Sequence, residues 1–311
     1  MQKIEIDYSI VIPVYQGERW LKILHQQLLS TFEDIPGAFE IIMVDDRSPD
    51  RSWQVMNEIQ KQDARVRLVQ LSRNYGQHNA TLCGFNYCRG EYVITMDDDL
   101  QHQPDEIPKL ISEIRKGFLL VYGQYEKKHH GWFRNIGSHV TNKILSKITN
   151  NKFDLTSFRV IKRDVINNII GNGTPGVILD LLIFNTVSSA DISYCPIRHN
   201  ESESSSYGFL ALLSIASDMI INYTIAPLKL IIFVGFVFSM LGFGLGIFYV
   251  IAFLSGSIDV DGFTTLVLLI TFFAGAILFV LGIIGEYIGR IFLKVSGKPL
   301  YIVRQTIFKE E

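Results

Sequence analysis

The sequence predicts an α/β domain built on a mostly parallel sheet, followed by an interfacial helix and two transmembrane helices. Over the first 125 residues, short apolar runs alternate with amphipathic segments, a pattern typical of strands joined by crossover helices. Two later runs, residues 230–254 and 262–285, contain no charged residue. Each run exceeds the roughly 20 residues with which a helix crosses about 30 Å of hydrocarbon. The alternative, a pair of buried core helices, is disfavoured because only SGSIDVDG separates two such long runs.

The N-terminal pattern divides into five strands and four helices. The strands are predicted at residues 8–15, 39–46, 66–72, 91–99 and 119–125, and the helices at residues 18–32, 52–62, 78–88 and 104–117. In a sheet of this kind, ligands bind in the crevice at the carboxyl ends of the strands. The polar segments that follow each strand are therefore the places to look for a site.

The distribution of basic residues predicts how the chain is oriented in the membrane. Lys229 precedes the first apolar run, and Arg290, Lys294, Lys298 and Arg304 follow the second, whereas the connecting loop carries two aspartates and no base. Because cytoplasmic flanks are enriched in Lys and Arg, both ends of the hairpin are expected in the cytoplasm. The predicted organisation is a cytoplasmic domain (1–205), an interfacial amphipathic helix (206–227), a transmembrane hairpin (228–290) and a cytoplasmic tail (291–311).

The overall charge argues against one class of partner. The 311 residues carry a formal net charge of -2. A general nucleic-acid binder usually shows a basic excess on one domain, so no nucleic-acid partner is expected.

The strongest chemical signal is a run of three aspartates, Asp97 to Asp99, at the end of the fourth predicted strand. Adjacent carboxylates repel one another and are costly to bury unless a cation offsets them. Side chains alternate along a strand, so Asp97 and Asp99 are expected on one face, where they could share a Mg²⁺ ion that also bridges a diphosphate. The alternative is a solvated acidic turn.

Two further polar segments follow the second and third strands. Asp45 and Asp46 are placed beside the end of the first strand, where they could accept hydrogen bonds from a base or ribose, although such turns also cap helices. Arg73 could meet a phosphate, and Gly76 could allow a turn before the next helix.

Taken in order, these segments resemble family 2 glycosyltransferases of the GT-A fold. SIVIPVY, EIIMVDDRSPD, LSRNYGQHNA, MDDDLQHQPDEIPKL and GEYIGRIF with GKPLYIV look like the polyprenyl-phosphate branch of that family. This branch includes dolichyl-phosphate mannose synthase and undecaprenyl-phosphate sugar transferases. The fold class that the resemblance implies is a Rossmann-like GT-A domain with membrane helices.

The resemblance also implies roles for individual residues. The catalytic group would be Asp97, Asp99, Asp154 and Arg159, with Asp97 and Asp99 as ligands of Mg²⁺ or Mn²⁺. The nucleotide-sugar contacts would be Pro13, Tyr15, Asp45, Asp46, Arg73, Gln77 and Asp98.

The sequence departs from the family pattern at two places. Where many members have a second carboxylate after Asp154, this chain has Ser157; where a Lys is expected before the interfacial helix, it has Ser206. The lipid phosphate would then be bound by Arg198 and His199, and by Arg290 and Lys294 at the end of the second span.

The function implied is inverting transfer of a hexose-type sugar from a nucleotide sugar to polyprenyl phosphate, with a UDP-sugar as first choice and a GDP-sugar next. The protein would be an integral protein of a bacterial inner or plasma membrane, contacting membrane lipid. Homo-oligomerisation through the membrane helices stays open. Three alternatives also stay open: a polysaccharide synthase, a transferase for another lipid acceptor, and a non-catalytic membrane scaffold that keeps the fold.

Overall fold

The computed structural model describes residues 6–125, 156–170, 179–198, 262–295 and 299–308, with a few scattered positions between 233 and 255. The strands are β1 Tyr8–Val14, β2 Phe39–Asp45, β3 Val66–Leu71, β4 Tyr92–Thr95, β5 Leu120–Tyr125, β6 Arg159–Lys162, β7 Ile192–Ile197 and β8 Val303–Ile307. The helices are α1 Leu21–Glu33, α2 Ser52–Gln62, α3 Gln77–Phe85, α4 Ile107–Ile114, α5 Arg163–Ile169, α6 Leu179–Thr186 and α7 Phe263–Val295. Short 3-10 turns lie at Pro104–Glu106 and Ser189–Asp191.

Eight strands form one mixed sheet in the order β7-β5-β6-β4-β1-β2-β3-β8. The four central strands β4, β1, β2 and β3 are parallel, with Ile10 of β1 opposite both Ile41 and Ile94. Strands β6 and β8 flank this group in the antiparallel direction. The α/β prediction is therefore confirmed, and the parallel strands bring their carboxyl ends to one edge.

The core lies on both faces of the sheet because successive side chains of a strand point to opposite sides. Ile10 and Ile12 of β1 pack in one cluster with apolar residues of α1, α2 and α4. Val11, between them, packs in a second cluster with residues of α3, α5 and α6. All seven residues of β1 are buried, as expected for a central strand with helices on both sides.

One predicted boundary is wrong, and the error bears on the site. Residues 91–99 were expected to form a strand through the last aspartate, but β4 ends at Thr95. Leu100 closes the aspartate segment with a positive φ of 60°. The three aspartates therefore occupy a turn, and strand alternation does not place Asp97 and Asp99 on one face.

The last residues of the chain form a strand that the sequence analysis did not predict. Residues 291–311 were expected as a tail, whereas β8 pairs antiparallel with β3, and Gln305 Nε2 donates to Gln70 Oε1 at 2.9 Å. Residues 299–311 belong to the same compact unit as residues 1–208. The chain thus returns to the sheet after its apolar segment.

The apolar segment, residues 209–298, is a separate unit. Within the described residues, one helix is long and apolar enough to cross a membrane, the window Phe272–Gly289 of α7 with a mean hydropathy of 2.0. Most of the first predicted span and all of the predicted interfacial helix lie outside the described residues. The prediction of two transmembrane helices is therefore not confirmed and stays a prediction.

Candidate functional site

The carboxyl ends of β1, β2 and β4 meet at a cavity of about 310 Å³, which we call the carboxylate cavity. Its lining residues are Pro13, Val14, Tyr15, Asp46, Asn74, Gly76, Gln77, Asp97, Asp98 and Asp99. The predicted convergence of polar segments at this edge of the sheet thus occurs, even though the fourth strand is shorter than expected.

Asp46 holds the loop between β3 and α3 in place. Its two carboxylate oxygens accept the backbone N–H groups of Tyr75 and Gly76, each at 2.7 Å. Burial raises the pKa of Asp46, although both N–H bonds oppose that rise. Gly76 adopts φ +85° and ψ 156°, a conformation that is essentially restricted to glycine. The conformation of the loop is therefore determined by the Asp46 carboxylate and by Gly76.

Asp97 is held by uncharged groups on both oxygens. Gln77 Nε2 donates to its Oδ1, and Ser157 Oγ donates to its Oδ2 at 2.6 Å. Its backbone N–H donates to His102 Nδ1 at 3.3 Å. Burial raises the pKa of the Asp97 carboxyl, and the hydrogen bond from Ser157 opposes this shift.

Asp98 reaches back to the end of β1. Its Oδ2 accepts the backbone N–H of Tyr15 at 3.2 Å. A Cβ on Gly17 would lie only 2.3 Å from the same oxygen, so the close approach requires a glycine there. Burial, with added repulsion from Asp97 and Asp99, raises the pKa of Asp98 to about 7.

The donor set of the carboxylate cavity fits a divalent cation that prefers oxygen ligands. Crowded carboxylates with raised pKa values gain from a nearby positive charge. Among the described residues, no three His, Cys, Asp or Glu side chains form a ready-made metal cluster. Mg²⁺ commonly binds one or two carboxylates and completes its coordination with water and phosphate oxygens, which suits such a site.

A second cavity of about 180 Å³, which we call the arginine cavity, shares Pro13, Gln77 and Asp97 with the first. Arg159 and Asp180 line it and form a buried ion pair, and Arg159 Nε donates to Thr95 Oγ1 at 3.2 Å. Burial, the largest single influence, lowers the pKa of Arg159, but Asp180 and Tyr122 together outweigh it and raise the pKa.

The remaining predicted site residues lie in different environments. Asp45 is fully buried and accepts Gln70 Nε2 at 2.9 Å and the Ser48 N–H at 3.0 Å, so its contacts are internal. Arg73 is exposed, with its guanidinium 4.8 Å from the ring centroid of Tyr75. Neither residue lines the two cavities.

The predicted lipid-phosphate residues are only partly described. Arg198 is exposed and forms ion pairs with Asp105 at 2.6 Å and Glu106 at 2.5 Å, partners that the sequence analysis did not foresee. Asp154 and His199 lie outside the described residues, as do the side chains of Arg290 and Lys294.

Two functional candidates were missed or undervalued. Asp180 gave no signal in the sequence, because it is a lone acid in the first turn of α6 and its partner Arg159 lies on β6. Ser157 was noted only as a lost carboxylate, yet its hydroxyl binds Asp97. Both roles depend on tertiary contacts, which no local pattern reveals.

Comparison with known families gives two matches. The family described as glycosyl transferase family 2 matches residues 9–170, and the GtrB C-terminal hairpin matches residues 226–291. The first match covers more than half of the chain and includes β1 to β6 and α1 to α5. The second covers both apolar runs.

Similar proteins include the undecaprenyl-phosphate 4-deoxy-4-formamido-L-arabinose transferases of Proteus mirabilis and Edwardsiella ictaluri. The first is 33% identical over 96% of this chain and 93% of the relative, and the second is 31% identical over 96% and 94%. Among solved structures, glucosyl-3-phosphoglycerate synthase from Mycobacterium tuberculosis matches with a TM-score of 0.53 at 18% identity, covering 71% of this chain and 79% of that one. At that identity the structural likeness supports the fold alone.

Two glycines allow a test of the loop that Asp46 holds. Gly76 and Gly117 both have positive φ, and a Cβ on either would meet no atom within 4 Å, so Gly→Ala adds only backbone strain of about 1–3 kcal/mol. We expect Gly76→Ala and Gly117→Ala to lower the thermal unfolding temperature similarly. Only Gly76→Ala should weaken the binding of UDP or GDP, by at least about fivefold, because it distorts the cavity wall. Equal nucleotide affinities in calorimetric titrations of both variants would contradict this role of the loop.

Proposed function

Because this chain belongs to glycosyl transferase family 2, we propose that it transfers a sugar from a nucleotide-sugar donor to a polyprenyl phosphate. The observation that carries the proposal is the carboxylate cavity, in which Asp46 and Asp97 to Asp99 meet at the carboxyl ends of parallel strands. Their hydrogen-bond donors are neutral, so the cavity retains negative charge, which a cation that also binds the donor diphosphate would balance.

We assign the donor diphosphate and its metal ion to this cavity. Asp97 and Asp99 would hold Mg²⁺ or Mn²⁺, with Asp98 beside them, and the ion would supply charge stabilisation for the departing diphosphate. Tyr15, Pro13 and Gln77 would border the nucleotide sugar, as the family resemblance implies. A uridine base is the first choice and guanosine the second.

The proposed acceptor is supported by the relatives and by simple chemistry. The relatives are named as transferases for undecaprenyl phosphate. A phosphate monoester is mostly dianionic at pH 7, because its second pKa is near 6. Such an oxygen can attack the anomeric carbon with little help from a base while the bond to the diphosphate breaks. Loss of a family carboxylate at Ser157 is therefore compatible with catalysis in one inverting step.

Arg159, which the family resemblance places in the catalytic group, is a poor candidate for binding the acceptor phosphate. It is 2% exposed, and its charge is balanced by Asp180. We assign the acceptor phosphate instead to Arg198, His199, Arg290 and Lys294.

The function is tested by incubating membranes that contain the protein with undecaprenyl phosphate, Mn²⁺ or Mg²⁺, and a panel of nucleotide sugars. Mass spectrometry of the lipid should show one sugar added per undecaprenyl phosphate. We expect Asp97→Asn and Asp99→Asn to insert and fold, yet to lose at least about 100-fold in turnover, since the same-sized amide removes the charge that binds the metal. Either folded variant working at the wild-type rate would refute the metal site, and lipid with several sugars per chain would favour a polysaccharide synthase.

We further propose that the segment between the two parts of the sheet crosses the membrane twice. Supporting this, β3 and β8 pair in one sheet although the apolar segment separates them in sequence. The chain must then enter and leave the membrane on the same side, so the number of crossings is even. With α7 as one crossing, a second belongs to residues 209–262, where the first apolar run lies. Basic flanks favour the cytoplasm for the catalytic domain and the C-terminus.

Single introduced cysteines test this topology. The native cysteines Cys83, Cys88 and Cys195 are buried and free, so they give little background. In intact cells, we expect an impermeant maleimide to label Ser257→Cys but to label Glu310→Cys only after the membrane is opened. Labelling of both positions from the same side would contradict a two-span hairpin.

The lipid-phosphate proposal for Arg198 has a matched control in Lys109. Both cations bind Glu106, but only Arg198 directly precedes the chain segment that leads to the membrane. We expect Arg198→Ala to raise KM for undecaprenyl phosphate several-fold with little change in donor affinity, as loss of an acceptor contact should. Lys109→Ala should leave both values near wild type. Equal effects of the two variants would show that Arg198 only maintains the ion cluster.

A further inference from the structure

The arginine cavity adjoins the carboxylate cavity, to which the donor diphosphate is assigned above. It shares Asp97, Gln77 and Pro13 with the carboxylate cavity and continues from there toward β6 and α6. Its volume of about 180 Å³ is smaller than the 310 Å³ of the carboxylate cavity. A donor whose diphosphate lies at Asp97 to Asp99 would direct the attached sugar into this smaller space.

The charges around the arginine cavity do not favour an anion. Among its described lining residues, the charged ones are Arg159, Asp97 and Asp180, one positive and two negative. The Arg159 guanidinium already has partners within the protein, because its Nη1 binds Asp180 and its Nε donates to Thr95. His78 also lines the cavity, and desolvation lowers the pKa of this imidazole, which disfavours its charged form.

Asp180 has one carboxylate oxygen, Oδ2, that can accept a hydrogen bond from a ligand. Its Oδ1 accepts both Arg159 Nη1 and the Tyr122 hydroxyl, the latter at 3.0 Å. Within the described part of the chain, no residue donates to its Oδ2, although Asp180 is only 9% exposed. This oxygen can therefore accept a hydrogen bond from a ligand in the cavity.

We infer, on the premise of the transferase function proposed above, that the arginine cavity receives the donor sugar and that Asp180 makes it select an uncharged ring over an acidic one. A sugar hydroxyl or amide N–H can donate to the free carboxylate oxygen. A uronic acid brings a third carboxylate into a cavity that Asp97 and Asp180 already line, and this repulsion between like charges is unfavourable. Asp180 is thus a specificity-determining residue, and Arg159 positions it.

Paired nucleotide sugars that differ only at C6 test this inference. UDP-glucose and UDP-glucuronate form one pair, and GDP-mannose and GDP-mannuronate the other. We expect one of the two pairs to bind, according to the base that the protein accepts. Within that pair, calorimetry with the full chain and Mn²⁺ should show at least about tenfold higher affinity for the uncharged sugar than for the acidic one. Equal affinity, or tighter binding of the acidic member, would overturn the inference.

The variant Asp180→Asn keeps the size of the side chain and removes its charge. We expect the ratio of affinities within the pair to fall at least fivefold, while the affinity for free UDP or GDP changes less than twofold. Asp164→Asn, an exposed aspartate in the first turn of α5, is the control and should leave the ratio unchanged. A change limited to stability, with the ratio kept, would assign Asp180 a purely structural role. If Asp180→Asn does not fold, the wild-type ratio decides the question alone.

The same measurements separate this inference from the proposed function. Discrimination within a pair without transfer of either sugar to undecaprenyl phosphate would refute the acceptor and leave the sugar subsite standing. Transfer of an acidic sugar to undecaprenyl phosphate would support the acceptor and refute the selection of uncharged sugars. Failure of all four donors to bind would contradict both.

Discussion

The repulsion between carboxylates at one edge of the sheet is the constraint on which the rest of this structure depends. Asp46, Asp97 and Asp98 are brought together by the ends of β2 and β4, and each is held by neutral donors. Hydrogen bonds from N–H and O–H groups keep the carboxylates in place without cancelling their charge. Among the described residues no Lys or Arg forms an ion pair with Asp46 or Asp97 to Asp99. The fold therefore holds negative charge that, under the proposed function, a metal ion bound to the donor diphosphate would offset.

Much of the surrounding structure serves to place those neutral donors. Gly76 takes a glycine-only conformation so that its N–H meets Asp46, and Gly17 leaves room for Asp98. The residue before β8 also contacts this region. Ser72, at the start of the loop between β3 and α3, donates its N–H to the carbonyl oxygen of Ile302. A segment that follows the apolar helix in sequence thus contacts the start of the loop that Asp46 holds. This arrangement explains why the end of the chain belongs to the catalytic unit.

The sequence alone predicted the features that repeat locally or that directly follow a strand. Alternating apolar and amphipathic runs predicted the parallel strands, and the run Asp97 to Asp99 predicted an acidic site at a strand end. The end of β4 was predicted at Asp99 but lies at Thr95, because the pairing that ends the strand is a tertiary contact that the local pattern does not show. The strand β8 was missed because VRQTI is short and half polar, as an edge strand can be. The pair of Arg159 and Asp180 joins a strand to a separate helix, and only the tertiary fold brings them together.

The central claim is that the carboxylates require a cation in order to hold a diphosphate, and metal-dependent nucleotide binding tests it most directly. Calorimetric titration of UDP and GDP into the full-length protein should be done with Mn²⁺ and again with a chelator. The account predicts that affinity falls at least about tenfold without metal, because two anionic groups are then left facing each other. It also predicts that Asp97→Asn lessens this dependence. Equally tight nucleotide binding in the presence and absence of metal would contradict the account.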